Sequence, residues 1–213
     1  VSAITKQKPG PFTANGFINI SNLNYSSKDF PQPVRNSNIQ IAFENPDGVA
    51  DHTIINIPTA HLEIGSEPVD FNVLIKTPVS NLYFDGSVRG RFNLANTAQF
   101  STPEPGTSLT GTLTANVAFK GNKSSIDKKA YDKINTSGTL KLANLNYSSK
   151  TYPDGIKLEE ADFTFNPKNI TLNTASATYL QTRYTASGSV DNAIGYALKD
   201  EPIAGNLNVH ADH

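Results

Sequence analysis

Apolar and polar residues alternate along most of this chain with a period of two, the spacing of a strand with one buried face and one wet face. The cleanest case is Leu109–Phe119. Leu109, Gly111, Leu113, Ala115, Val117 and Phe119 fall on one side, and Thr110, Thr112, Thr114 and Asn116 fall on the other with Ala118. The same reading predicts strands at Phe17–Tyr25, through Ile39, Ile41 and Phe43, and at Thr53–Ile57, Val69–Ile75, Leu82–Val88 and Arg91–Leu94. It continues across Leu140–Tyr147, through Ala161, Phe163 and Phe165, at Ile170–Asn173, and from Ile203 through Gly205 and Leu207 to Val209.

One heptapeptide occurs twice. Asn22-Leu23-Asn24-Tyr25-Ser26-Ser27-Lys28 returns as Asn144-Leu145-Asn146-Tyr147-Ser148-Ser149-Lys150. In both places the alternation slips by one residue. Ile18 and Ile20 are out of phase with Leu23 and Tyr25, and Leu140 and Leu142 are out of phase with Leu145 and Tyr147. A strand restores its phase by inserting one residue, so a β-bulge is predicted near Ser21-Asn22 and again near Ala143-Asn144. The competing reading leaves one apolar pair in solvent.

The surroundings of the heptapeptide also repeat. A loop with an aromatic and a proline follows each copy, Phe30-Pro31 and Tyr152-Pro153. An alternating strand comes next, and then a turn, Asn45-Pro46-Asp47-Gly48 or Asn166-Pro167-Lys168-Asn169. Asn first and Pro second suit a type I turn, because Pro pre-sets φ there. The expected fold is mostly β: a duplicated antiparallel β-sheet unit, groove-like or sandwich-like, with one α-helix between the copies. Residues 1–15 read as a tail, 16–121 as copy one, 122–137 as the linking helix and 138–213 as copy two, in one continuous domain. With the Ile203 strand taken as the counterpart of the Leu109 strand, copy one is the longer. The excess is placed between His61 and Leu82, as an added strand at Val69–Ile75.

The helix is predicted from Ser124 or Ser125 as cap, Asp127 in the first turn, and Ile126, Ala130, Tyr131 and Ile134 on one face. A shorter helical turn is predicted at Asn192–Leu198.

Composition narrows the chemistry. A net charge of −1 gives no field that favours nucleic acid. The absence of cysteine removes disulfides, thiol nucleophiles and zinc–thiolate clusters. No apolar run approaches the ~18 residues of a membrane-spanning helix. The chain starts at Val1 and has no Met, so it reads as a processed or excised piece, separated from any N-terminal membrane anchor.

Candidate catalytic groups are few. Gly106-Thr107-Ser108-Leu109-Thr110-Gly111 misses the nucleophile-elbow spacing by one residue and precedes a strand, not a helix. Glu159 and Glu160 point to opposite faces of a strand unless a bulge intervenes. His52, His61, His210 and His213 include one pair with metal-site geometry, His61 with Glu63, and it is weak. The chain therefore reads as non-enzymatic, with no cofactor and no metal.

Leu109–Lys120 leading to Gly121, the Tyr131-containing segment running into Gly138-Thr139-Leu140-Lys141-Leu142, and Asn144–Ser149 together resemble the AsmA-like family of Gram-negative envelope proteins. Ala186-Ser187-Gly188-Ser189-Val190, Tyr196–Lys199 and Ile203–Val209 extend the likeness over roughly residues 82–213, and the Bacteroidetes members look closest. The resemblance implies a periplasmic protein anchored in the inner membrane through an N-terminal helix that this chain lacks. It further implies roles in outer-membrane assembly and lipid homeostasis, and an apolar β groove along which lipid moves. Its partners would be lipid acyl chains or envelope proteins, and it brings no catalytic residues. The candidate lipid-contacting residues are Leu109, Leu113, Val117, Phe119, Leu140, Leu142, Leu145 and Tyr147. The competing reading of these stripes is an ordinary core under the helix and a second sheet. The alternative function is a glycan- or protein-binding module using Asn/Thr-rich faces and loop aromatics such as Phe30 and Tyr152.

Overall fold

A computed structural model of the chain describes residues 12–27, 30–95, 107–192 and 202–212. They form one open antiparallel sheet of eleven strands, and the order in space is the order in sequence. The strands are β1 Ala14–Ser27, β2 Phe30–Asn45, β3 Ile54–Ile64, β4 Glu67–Lys76, β5 Tyr83–Asn93 and β6 Ser108–Asn122. They continue as β7 Asn135–Ser148, β8 Ile156–Phe165, β9 Asn169–Tyr179, β10 Thr182–Asp191 and β11 Ala204–Asp212. Leu82–Val88 and Arg91–Leu94, expected as two strands, are one: Gly90 lies opposite Val69 and Ala115 with the ladder unbroken on both sides.

Both predicted bulges are present. Ile20 lies opposite Ile39 and Leu23 opposite Ser37, so β1 holds one residue more than β2 there. Thr110 lies opposite Asn146 and Thr112 opposite Ala143, so β7 holds one more than β6. The extra residue falls beside Asn22 in one strand and Asn144 in the other, at φ 53° and 50°. Asparagine tolerates this left-handed conformation better than most residues, because its short polar side chain bonds locally. Here Asn24 Nδ2 donates to the Asn22 carbonyl and Asn146 Nδ2 to the Asn144 carbonyl. The bulges bring Ile18, Ile20, Leu23 and Tyr25 to one face, and likewise Leu140, Leu142, Leu145 and Tyr147.

The Asn-Pro turns are also built alike. Asn45 Oδ1 accepts from the amides of Asp47 and Gly48, and Asn166 Oδ1 accepts from those of Lys168 and Asn169.

No second layer covers this sheet among the described residues. The buried apolar set is Ala60, Val69, Leu94, Ala115, Ile134 and Ala161, half of it alanine. The accessible surface is 14153 Å², against roughly 9,600 Å² for a compact monomer of this mass. Among the described residues the competing arrangement, a core beneath a helix and a second sheet, is not formed.

The linking helix differs most from expectation. Between β6 and β7 lie only a five-residue helix, α1 Lys123–Asp127, and a 3-10 turn at Tyr131–Lys133. Lys129 at φ 53° breaks the helical run. Ile126 is exposed and Ile134 is buried, so the apolar residues do not share one packed stripe. β6 extends to Asn122 and β7 begins at Asn135, which leaves room for a short reversal and no more. The turn predicted at Asn192–Leu198 lies outside the described residues except for Asn192, as does the tail up to Pro11.

The pairing of the Leu109 strand with the Ile203 strand fails on direction. Neighbouring strands alternate along this sheet. β6 is the sixth strand counted from β1, and β11 is the fifth counted from β7. The two therefore run oppositely relative to those starting strands. β4 occupies the expected added-strand position, but β10 follows β9 in the same way. Ile64 faces Glu67 across one hairpin, and Tyr179 faces Thr182 across the other.

Candidate functional site: an uncovered apolar face

Directly paired residues share a face of a sheet. One row can therefore be followed from edge to edge. It runs Ile20, Ile39, Ala60, Phe71, Val88, Val117, Gly138, Phe165, Ile170, Val190 and Gly205. Every member is apolar or glycine. A second row runs Phe92, Leu113, Leu142, Ala161, Ala175, Ala186 and Val209. The face these rows define spans all eleven described strands.

All eight residues expected to touch lipid lie on it. Leu109 faces Tyr147 and Leu113 faces Leu142 across the β6–β7 ladder, while Val117 and Phe119 continue along β6 and Leu140 and Leu145 along β7. Each is half-buried, screened by its neighbours in the sheet and open above. The eight form the middle of a larger surface. Ile55, Ile57, Phe71 and Val73 extend it on one side, and Leu158, Phe163, Leu172 and Ala177 on the other. Their alternation was readable in the sequence, but nothing there placed them beside β6 and β7.

The two ends of the face are furnished differently. At the β7–β8 end, Tyr152 turns back from its loop so that its ring centroid lies 6.4 Å from Tyr147 and 6.5 Å from Tyr179. At the other end, Ile134 from the β6–β7 connection lies against Gly121 beside the Phe84 ring. Phe84 and Phe119 are 6.0 Å apart there.

The opposite face is mostly polar, apart from Phe17, Ala42 and Leu74, which fall in one row across β1–β4. The row beside the first one above runs Asn38, His61, Asp70, Arg89, Asn116, Thr139, Thr164, Thr171, Ser189 and Asn206. Cross-strand ion pairs lie on this face, with Lys120 Nζ 3.1 Å from Asp85 Oδ2 and Lys141 Nζ 2.8 Å from Asp162 Oδ2. Hydrogen bonds from Lys120 and Tyr83 hold the Asp85 carboxyl below its ordinary range, and those from Lys141 and Asn173 do the same for Asp162.

A bulge does bring Glu159 and Glu160 towards one face, since β8 gains a residue on β9 between Leu158 and Glu160. Glu159 accepts from the hydroxyls of Thr178 and Ser176, which lowers its pKa. It is thus a hydrogen-bonded, ionised surface group. His61 Nδ1 lies 2.7 Å from Asp70 on the neighbouring strand, while Glu63 accepts from Asn36. His52 pairs with Asp47, and His210 with Asp212. Among the described residues no three His, Asp or Glu side chains converge on a metal position. Ser108 opens β6 opposite Ser148, on extended backbone. No helix among them is long and apolar enough to cross a membrane.

Compared with family models, characterised proteins and solved structures, the chain gives no match.

Proposed function

We propose that this chain is a non-enzymatic, AsmA-like module of the Gram-negative periplasm whose apolar sheet face shelters lipid acyl chains. Its parent is anchored in the inner membrane and serves outer-membrane assembly and lipid homeostasis. One observation carries the reading: an apolar row crosses all eleven strands, and no described residue forms a layer over it.

The energetics fit such a role. Each CH₂ moved out of water gains ~0.8 kcal/mol, so a sixteen-carbon chain needs shelter of ~13 kcal/mol. A short pocket cannot supply that, whereas a continuous face can. Leu113, Leu140, Leu142, Val117 and Phe119 supply the central contacts. The tyrosines at 147, 152 and 179 place rings with polar tips at one end, a composition suited to the boundary between acyl chain and headgroup.

The proposal includes duplication, in the form the registers support. β1–β5 and β7–β11 are two passes of the same unit, with β6 between them. Strand directions, the Asn22 and Asn144 bulges and the Asn-Pro turns agree under this assignment, while the β1–β2 ladder carries further register shifts that the β7–β8 ladder lacks.

The test is lipid mass spectrometry on the protein purified from a Gram-negative host. Bound phospholipid or fatty acid is expected, and it is expected to be lost in Leu142→Asp and retained in the polar-face control Thr139→Asp. A protein that carries no lipid from the host and takes none from vesicles would end the reading.

A further inference from the structure

We propose that the β4–β5 turn and the β6–β7 connection form one platform that docks on the surface of an anionic phospholipid bilayer. The platform uses other residues than the apolar face, so the proposal stands apart from the lipid reading.

The two segments leave the same end of the sheet and are bonded to each other. The Lys123 amide donates to the Leu82 carbonyl at 2.8 Å, and the Ser124 amide donates to Asn81 Oδ1 at 3.0 Å. α1 therefore starts against the β4–β5 turn. That turn is itself held in place. Asp51, from the β2–β3 connection, accepts from the Val79 and Ser80 amides and from the Ser80 hydroxyl. The Thr77 hydroxyl donates to the Asn81 carbonyl. Thr77 stands at φ 46°, a conformation that a β-branched residue seldom adopts. All of this bonding fixes a turn whose tip is Val79, 70 % exposed. Ile126, on the segment bonded to it, is 44 % exposed. Aliphatic side chains held outward on adjoining segments, with polar groups around them, form a contact surface.

Charge identifies the partner. Residues 123–134 contain Lys123, Lys128, Lys129 and Lys133 against Asp127 and Asp132, and all four lysines are exposed. Of the neighbouring carboxylates, Asp127 is bound by Lys123, Asp51 by the Val79–Ser80 turn and Asp47 by His52. Lys128, Lys129 and Lys133 form no ion pair among the described residues. Ammonium groups beside aliphatic tips suit a layer of phosphate headgroups over acyl chains: the lysines meet phosphate while Val79 and Ile126 enter below it. Protein interfaces are built differently. They are anchored by aromatic residues and arginine and are depleted in lysine, whereas the tips here are Val and Ile among lysines.

The opposite end of the sheet supplies a control. Leu180 is 62 % exposed there, but its hairpin turn holds only Gln181 beside it, since Tyr179 faces Thr182.

The test is co-flotation of the whole chain with vesicles of phosphatidylglycerol and phosphatidylethanolamine, against vesicles of phosphatidylcholine alone. Binding to the anionic vesicles is expected, roughly tenfold or more above the neutral ones and weakened by salt. Val79→Asp with Ile126→Asp should weaken it roughly tenfold or more. Lys128→Glu with Lys129→Glu should remove the anionic preference, and Leu180→Asp should leave binding unchanged. A second measurement keeps Ile126 and the lysines intact. The chain has no cysteine, so Val79→Cys or Leu180→Cys can carry a single polarity-sensitive fluorophore. Its emission should shift to the blue on anionic vesicles at Val79→Cys and stay constant at Leu180→Cys. Four results would overturn the proposal: no binding to anionic vesicles, equal binding to both kinds, undiminished binding by the Val79/Ile126 variant, or equal shifts at the two labelled positions. Equal shifts would mean that the apolar face, and not the platform, meets the bilayer.

Discussion

β1 and β7 carry nearly the same pattern and sit in different places. β7 lies inside the sheet with a strand on each side, whereas β1 has one described neighbour. In both strands an asparagine at positive φ takes the extra residue and returns the following Leu and Tyr to the apolar face. The bulge therefore follows the local sequence in both strands. What the second neighbour changes is the exposure of the side chains and the tolerance of the backbone to added atoms.

The sharpest way to break this comparison is at the paired glycines. Gly138→Val pushes a side chain into the β6 backbone and should cost ~3 kcal/mol or more, an overpacking loss with no route for relief. Gly16→Val meets only the tip of the Phe43 ring, which can swing aside, and should cost under ~1 kcal/mol. Urea unfolding of the two variants measures the difference. Equal losses would mean that β1 is as enclosed as β7.

A smaller effect is expected at the bulges themselves. Asn144→Ala and Asn22→Ala both force alanine into the left-handed region, at ~1 kcal/mol each, and Asn→Gly at either position should be close to neutral. The Asn22 variant should register less in global unfolding, because an edge strand opens before the sheet does. Thermal melts of the four variants separate local strain from position.

The smallest effect concerns acid. The two Asn-Pro turns match in their backbone bonds, but Asp47 in the first is replaced by Lys168 in the second. Asp47 accepts from His52 and from the Val49 amide, and these bonds lower its pKa, the His52 bond most. A carboxyl lowered on folding stabilises the fold fully above its unfolded value near ~4 and loses that contribution as pH falls through the lower folded value. Protection of the Val49 amide, its exchange relative to the intrinsic rate at each pH, should therefore fall as pH drops below ~4 through the lowered folded value, while protection of the Lys168 and Asn169 amides holds. Asp47→Asn should remove the pH dependence.

The phase slips were the most informative part of the sequence. Ile18 and Ile20 followed by Leu23 and Tyr25 announced a bulge, and the same reasoning finds others that escaped notice. Ile55 and Ile57 give way to Ala60, Leu62 and Ile64, and β3 is bulged between Ile57 and Ala60. Ile170 and Leu172 give way to Ala175, Ala177 and Tyr179, and β9 gains a residue on β10 between Leu172 and Ala175. Two features were not legible. Which strand answers to which depends on direction, and alternation carries no direction, so Leu109 and Ile203 were matched by composition alone. The linking helix had an adequate cap and stripe, but a short helix gains little from propensity without packing, and Ile126 stays exposed. The extent of the apolar face was hidden for a related reason. A sequence shows that a strand has a greasy side, but not whether anything lies over it.

Because every strand touches in quantity only the strands before and after it in the chain, cohesion in this molecule is transmitted in single file. Among the described residues there is no central nucleus whose loss would collapse everything at once. Disturbance at a border should travel inward one rung at a time, as in a ladder of nearest-neighbour couplings. By the same logic, any rung added at a border would lend firmness chiefly to the one beside it.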